Sequence, residues 1–474
     1  MTIKQTLLLM AIILTIAALL PGFAADEPAS PAVEQSVPAP AASQPAAPPV
    51  VAPSALPELI VPPLPAGTKP SISTEQPVIL KEAIKLALQY QPQLTQATAA
   101  LSAAEGRLKQ AESGFFPTIG VTASHNKTGP ATDAGGSNPG IYTTSFSGRQ
   151  LVYDFGRTPA EASQARNQRE AARQALEQTR QELINGVKQA YYILLQNQRL
   201  VEVQQLNLTD QQAHLEEAKA RFDVGVAPRA DVVRAETAVA DAVLTLASAQ
   251  NFAAISRVNL NLAIGLDPRT PIKVAETEEA APSLEDPAAF VERAFNNRPE
   301  MKQARANLKA AQEALKVART NNLPALSASA SYGWSGIDFP PDTLGWSYGA
   351  ALSWPFFDVG MTKGLVQTAK ANVTSAQASL VQTEQFVSSD VVQAYLNLQT
   401  AVEKVAAAKA GVVNAEESIR LATGRYQAGV AAYIEVIDAQ TALVTAQTNQ
   451  VNALYGLSTA RAAFEKALGI AEGE

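Results

Sequence analysis

Two stretches of this chain are versions of one another, and no other feature restricts its fold as severely. Pro92 and Pro117 recur as Pro299 and Pro324, 207 positions on. Asp154, Gly156, Ala190, Tyr191, Arg221, Gly225 and Gly265 recur as Asp358, Gly360, Ala394, Tyr395, Arg425, Gly429 and Gly469, each 204 positions on and without a gap. The three-residue difference falls between Val121 and Asp154, where a surface loop is expected. Self-similarity at a fixed offset marks one supersecondary unit used twice. The repeats are placed at 78–266 and 287–470, joined by a connector at 267–286.

Each unit reads as helix, β-hairpin, very long helix, helix. Between Arg157 and Phe222 the sole proline is Pro159, near the start, and the sole interior glycine is Gly186. Ala, Gln, Leu, Glu and Arg dominate, and apolar positions recur at helical spacing. The counterpart, Met361 to Tyr426, contains no proline. Either helix would be about 100 Å long at 1.5 Å per residue, far beyond the diameter of a globular domain. The flanking helices, expected at 83–115 and 231–264, together nearly equal the long one, and both run opposite to it. They can stack end to end beside it, which leaves a hairpin at one end and a tight turn at the other.

All three tryptophans fall in the second hairpin, at about 325–355. Leu326, Ala328, Ala330, Tyr332 and Trp334 alternate with Ser327, Ser329, Ser331 and Gly333. Trp346, Tyr348, Ala350, Leu352 and Trp354 alternate with Ser347, Gly349, Ala351 and Ser353. A period of two means strands with one apolar face and one small polar face. Each is about ten residues long and uncharged, the form of a strand that crosses a bilayer at a tilt. With the hairpin closed over 336–345, Trp334 and Trp346 lie at the loop end and Trp354 at the other. Aromatics at both edges of an apolar band form the girdles of membrane barrels. Tyr332 and Tyr348 complete the lipid-facing set. The first hairpin, at about 118–153, repeats this more weakly: Ile119, Val121, Ala123, Tyr142, Phe146 and Val152 oppose Thr143, Ser145, Ser147 and Arg149. A soluble sheet packed on a helix would explain the alternation but not the aromatic edges or the scarcity of charge.

Four strands cannot close a barrel, and an open sheet edge is not tolerated in lipid. Copies of the chain must therefore associate. Two would give eight strands with an interior filled by side chains. Three would give twelve around a lumen of Ser, Thr and Gly, and a conducting pore favours three.

The N-terminal end reads as an export leader over 1–25: Lys4, an apolar stretch from Leu7 to Leu20, then small residues through Ala24 and Ala25. Residues 26–70 hold 13 prolines and are expected to be a disordered Pro/Ala-rich tether that buries no core. The chain has no cysteine, which excludes disulfides, thiolate metal sites, a thiol nucleophile and an acylated N-terminal cysteine. A net charge of −7 without a basic stripe argues against nucleic acid.

On these residues the chain resembles the TolC-like outer membrane efflux proteins, over about 78–470. The likeness rests on the duplicated plan, on Leu352 to Gly360 with its twin Leu151 to Gly156, and on Arg425 to Asp438 with its twin at Arg221. It implies a mainly α protein with a transmembrane β-barrel: a homotrimer whose twelve-stranded barrel in the outer membrane continues as a twelve-helix tunnel across the periplasm. It also implies a periplasmic adaptor and an inner-membrane transporter as partners, with export of drugs, metals or proteins by efflux or type I secretion. The turns at 222–231 and 426–435 would form the periplasmic tip. By position, Tyr426 and Asp231 match a locking pair, and Glu435 and Asp438 match an acidic constriction. The arginine that the family places in the second turn is Ala431 here, and Arg229 in the other turn is its expected substitute. Asp231 and Glu435 also suit helix N-termini. Gly225 and Gly429 permit the turns and, secondarily, face the adaptor.

Enzymatic readings fail. Gly345, Ser347 and Gly349 fit a nucleophile-elbow spacing, but that motif needs a strand-to-helix turn and a later histidine. These residues sit inside an alternating strand, and His125 and His214 both precede it. No cofactor or metal is expected, since no ligand cluster or phosphate loop is present. The alternative is a periplasmic coiled-coil adaptor or scaffold, which shares the leader and long helices but predicts no lipid-facing strands.

Overall fold

The computed structural model describes residues 77–127, 140–276 and 287–470. The leader, the tether, the tip of the first hairpin (128–139) and much of the connector (277–286) lie outside the described residues. The first repeat contains α1 (Leu80–Tyr90), α2 (Pro92–Ser113), β1 (Thr118–Asn126), β2 (Ile141–Tyr153), α3 (Arg157–Asp223) and α4 (Arg229–Ile264). The second contains α5 (Pro287–Asn297), α6 (Pro299–Arg319), β3 (Ala325–Gly336), β4 (Thr343–Ser353), α7 (Met361–Gln427) and α8 (Tyr433–Ala467).

The single helix expected over 83–115 is two helices. Pro92 lacks an N–H and disfavours helical geometry in the residue before it, and Gln91 is extended at φ −74°, ψ 120°. Pro299 does the same to Arg298, at φ −64°, ψ 131°. Each break receives the end of another helix. At the C-cap of α4, Gly265 has φ 87°, and a Cβ there would lie 3.0 Å from the Tyr90 carbonyl oxygen. The Gln91 amide donates to the Leu262 and Ala263 carbonyls at 3.2 and 3.0 Å. Gly469, at φ 71°, presses equally closely on Arg298. Arg298 is itself buried but donates to Asp390 at 2.6 Å and to Glu300 at 3.0 Å, as a buried guanidinium requires. Thus α4 and α2 abut end to end along α3, as α8 and α6 do along α7.

Helix α3 also packs against α6 and α8, so the helical layer runs α2/α4, α3, α6/α8, α7. Two apolar clusters anchor its middle, around Tyr191, Tyr192 and Leu194 on α3 and around Val387, Val391 and Leu398 on α7. Elsewhere alanines such as Ala235, Ala242, Ala401 and Ala415 are buried, and their small side chains let the long helices lie close. The layer has two open edges. Along one, α4 exposes Val233, Leu244, Phe252, Ile255 and Leu262; along the other, α7 exposes Val381, Phe386, Leu396, Val413 and Leu421. Helix α4 is apolar and long enough to cross a membrane by composition alone.

The hairpins join into one antiparallel sheet in the order β1-β2-β3-β4. Register sorts the side chains into rows. Val121, Phe146, Tyr332 and Trp346 oppose one another on one face, beside the row Ile119, Gly148, Ala330 and Tyr348. Gly120, Ser147, Ser331 and Ser347 line up on the other face, with Ser331 and Ser347 hydroxyls 2.8 Å apart. Val152, expected on the aromatic face, instead sits in a β-bulge between Leu151 and Tyr153. The extra residue shifts the register and sets Tyr153 opposite Leu326. The second hairpin is tighter than expected, with β3 ending at Gly336 and β4 starting at Thr343.

Each hairpin hands over to its long helix through the same device. Asp154 accepts from the Gly156 and Thr158 amides and from the Thr158 hydroxyl, and Asp358 accepts from the Gly360 and Thr362 amides. These bonds satisfy N–H groups that the helix start leaves without partners. The Thr362 hydroxyl and amide hold the Asp358 carboxyl below its ordinary range.

Candidate gate and barrel wall

At the far end from the sheet, the two tight turns meet. Each long helix ends in the same motif: the Val226 amide donates to the Arg221 carbonyl, the Val430 amide to the Arg425 carbonyl, and Gly225 and Gly429 take φ of 79° and 74°. A left-handed residue in this position closes a helix C-terminus, and glycine adopts it without strain. No neighbouring atom lies near either glycine, so their conformational role stands apart from any contact.

A small core holds the turns together: Ala218, Ala235, Ala422, Tyr426, Tyr433, Val436 and Ala439, drawn from α3, α4, α7 and α8. The Tyr426 and Tyr433 rings lie 5.3 Å apart. Among the described residues neither hydroxyl has a hydrogen-bond partner, although both are buried. Burial pushes the Tyr426 phenol up, with the Asp231 carboxylate adding to the effect and the Arg221 guanidinium opposing it. Tyr433 is pushed up to about 12, first by burial and then by Tyr426 and Asp231. Asp231 is 8 % exposed, on the first turn of α4, with Arg234 at 3.9 Å. Tyr426 and Asp231 are therefore electrostatic neighbours, without a hydrogen bond between them inside the protomer.

The guanidinium that crosses between the turns belongs to Arg221. It donates to the Tyr426 and Gln427 carbonyls at 3.3 Å, lies 4.7 Å from the centre of the Tyr426 ring, and pairs with Glu217 at 3.1 Å. Arg229 is exposed at the start of α4. Glu435 is half-buried and pairs with Arg425 at 3.4 Å, and Asp438, one turn further along α8, is exposed. Arg221 and Tyr433 were not singled out in the sequence. Arg221 was visible as part of the repeated Arg-aromatic-x-x-Gly signature, and Tyr433 as the departure from its twin Arg229.

On the barrel wall, Trp334 opposes Leu344 near the hairpin loop, and Tyr332 opposes Trp346. Trp354 lies beyond β4 at the helical end, its indole donating to the Asn322 carbonyl at 3.1 Å. Trp346 is 70 % exposed, Tyr348 79 % and Trp354 59 %. Strand β4 is exposed along its whole length. Aromatics this exposed at both ends of an uncharged strand, on a sheet with two open edges, define the protomer of a membrane barrel that continues as a helical conduit.

The comparisons agree with that class. The family model described as outer membrane efflux protein matches residues 83–266 and 290–470, and the chain belongs to that family. It is 26 % identical to Protein CyaE of Bordetella pertussis, covering 78 % of this chain and 80 % of that one. It is 24 % identical to outer membrane protein TolC of Escherichia coli, over 80 % and 79 % of the two chains. Its fold matches the crystal structure of the outer membrane protein VceC from Vibrio cholerae with a TM-score of 0.73 at 22 % identity, covering 82 % of this chain and 96 % of that one.

The chain is thus a protomer of a homotrimeric outer-membrane channel, a twelve-stranded barrel continued by a twelve-helix periplasmic tunnel. It acts as the exit duct of a tripartite efflux or type I secretion system, with a periplasmic adaptor and an inner-membrane pump. The open edges account for the symmetry. Strand β1 and helices α2/α4 share one edge, and β4 and α7 the other, so a head-to-tail contact closes sheet and helical layer together. Helix α4's apolar stripe lies on such an edge, which gives it a helix partner rather than lipid.

Proposed function

We propose that the junction of the two turns is the closed gate of this exit channel, and that this chain passes substrates without chemistry of its own. The contact that supports the reading is Arg221 spanning from the first repeat to the carbonyls that end α7 in the second. Asp231 and Tyr426 lie behind it in the same core, with Arg229 outside them on α4. Repeated around a threefold axis, Glu435 and Asp438 form two acidic rings at the constriction, where clustered carboxylates favour cations. The exposed Val224, Val226 and Val430, carried on Gly225 and Gly429, are the surface for the adaptor. Repeats 78–266 and 287–470 each supply two strands and one coiled pair of long helices. Trp334, Trp346, Trp354, Tyr332 and Tyr348 form the lipid-facing girdle, because the opposite face is mostly Ser, Thr and Gly and carries the one charged strand residue, Arg149.

Single-channel recording of the purified trimer in a planar bilayer tests the gate. A small cation-selective conductance, blocked by a trivalent cation from the tip side, is expected. Glu435→Ala with Asp438→Ala should abolish both the selectivity and the block. Unchanged selectivity would return the two carboxylates to the role of solvated helix residues.

A further inference from the structure

Among the described residues of β1 to β4, one side chain carries a formal charge, and it is Arg149. Register places it on the small polar face: Arg149 stands opposite Thr118 on β1 and Ser329 on β3, and Ser329 opposite Gly349 on β4. The row on one side of it is Gly120, Ser147, Ser331 and Ser347 and on the other Leu151, Ser327 and Ala351, so no acid in these rows offsets it. Arg149 is exposed, and its side chain has no ion pair among the described residues. It lies four positions before Tyr153, the end of β2, or about 13 Å along the strand from the helical end.

A cation here is unnecessary for folding, since the equivalent positions on β1, β3 and β4 are small and neutral. On a lipid-facing strand it would be costly; on a lumen-facing one it is free to act on whatever passes. We infer that Arg149 and its two symmetry copies form an electropositive ring inside the barrel, just beyond the tunnel, that draws anionic groups: carboxylates, sulfates or phosphates of the exported molecule. Charged rings set the selectivity of pores in this way, and an arginine fork suits planar or tetrahedral oxyanions. The inference rests on the reading of the aromatic face as lipid-facing. With the acidic rings proposed at the tip, the conduit would reverse its sign along its length, so that a molecule carrying both charges meets an attractive ring at each end.

The chain has no cysteine, so a single introduced thiol is a unique reporter. Ser329→Cys puts it directly opposite Arg149, and its rates of reaction with a sulfonate-bearing and a trimethylammonium-bearing thiosulfonate are measured on the membrane-inserted trimer. A unit charge about 7 Å away, in water with about 10 Å of screening length, changes the ratio of the two rates about threefold. The ratio should favour the sulfonate, fall about threefold when Arg149→Ser is added, and be kept by Arg149→Lys. If both reagents react but their ratio ignores Arg149→Ser, the ring is refuted and the pore stands. If neither reagent reaches Ser329→Cys while both reach Tyr348→Cys, the faces are assigned the wrong way round, and the proposed function fails with the ring.

Discussion

Removing the Arg221 side chain, by Arg221→Ala, should loosen the tip, and the duplication supplies its own control. In the closed arrangement the guanidinium makes two charge-assisted bonds to carbonyls of the opposite turn, both rather long at 3.3 Å. At that length they contribute about 0.7 kcal/mol each, as for a neutral bond and below the roughly 1.5–3 kcal/mol of well-formed charge-assisted ones. The cation–π contact with Tyr426 at 4.7 Å adds about 0.5 kcal/mol, taken at the low end. The pair with Glu217 stays within α3 and survives any separation of the turns, so it does not count. The total, about 2 kcal/mol, multiplies the ratio of open to closed tips about thirtyfold. The twin change, Arg425→Ala, removes only the contact with Glu435, whose partners are 58 % and 42 % exposed. Such a pair is worth at most about 0.5 kcal/mol, or about a twofold change. Open probability in bilayer recordings, at one ionic strength for all variants, reads both. Equal effects from the two arginines would refute the assignment of the clamp to Arg221, as would an Arg221→Ala channel that opens no more often than the parent.

Three further outcomes are expected. Tyr348→Arg puts a cation near the middle of the proposed lipid-facing wall at a cost of about 2–4 kcal/mol per protomer, whereas Gly349→Ser on the other face should cost little; the yield of heat-resistant trimer in outer membranes compares them. Gly265→Ala forces a Cβ to within 3.0 Å of the Tyr90 carbonyl at a left-handed φ, and should cost about 1–3 kcal/mol, while Gly186→Ala, within a helix and in open space, should gain up to about 1 kcal/mol; thermal melts decide. Tyr433 keeps its proton in the closed tip up to about 12, against 10 in an unfolded chain, so closure loses stability as pH climbs from 10 through 12. Channel opening in that window should shrink in Tyr433→Phe, and an identical alkaline response in the variant would place the titrating group elsewhere.

The long helices and hairpins were legible because their signals are local and repeated. Long stretches with helical periodicity and no interior proline become α3 and α7, and strict alternation becomes β3 and β4, where one face meets a different solvent from the other. The break at Gln91 was also written in the sequence, as Pro92, but apolar periodicity carries across a one-residue interruption and hides it. The bulge at Val152 left no such mark, since its place is set by how β2 pairs with β3, a contact between repeats. At the tip, the acidic residues could be placed on their turns by matching the family's spacing. The Arg221 clamp could not, because it depends on which way one long side chain turns when two distant turns meet.

The differences between twin positions are where this chain departs from a doubled helical pair. Arg221 and Arg425 occupy the same place in the motif, yet the first reaches inward to the other repeat and the second pairs with Glu435 on its own. Phe222 corresponds to Tyr426, Arg229 to Tyr433, and Arg234 to Asp438. Each change puts a polar or acidic group in the second repeat where the first is apolar or basic. Helix packing tolerates either choice, since both repeats keep the same alanines, Ala235 and Ala439, in the shared core. A symmetric tip would present six like surfaces to the axis, and every pair of helices would have equal reason to stay or move. In the proposed closed cluster the hydroxyls of Tyr426 and Tyr433 are buried, without a partner among the described residues, and a hydroxyl so placed carries a desolvation cost of about 1–3 kcal/mol that exposure to water recovers. In the proposed gate the clamp from the first repeat works against that release, and a partner that engages the Arg221 side of the turn is expected to open it.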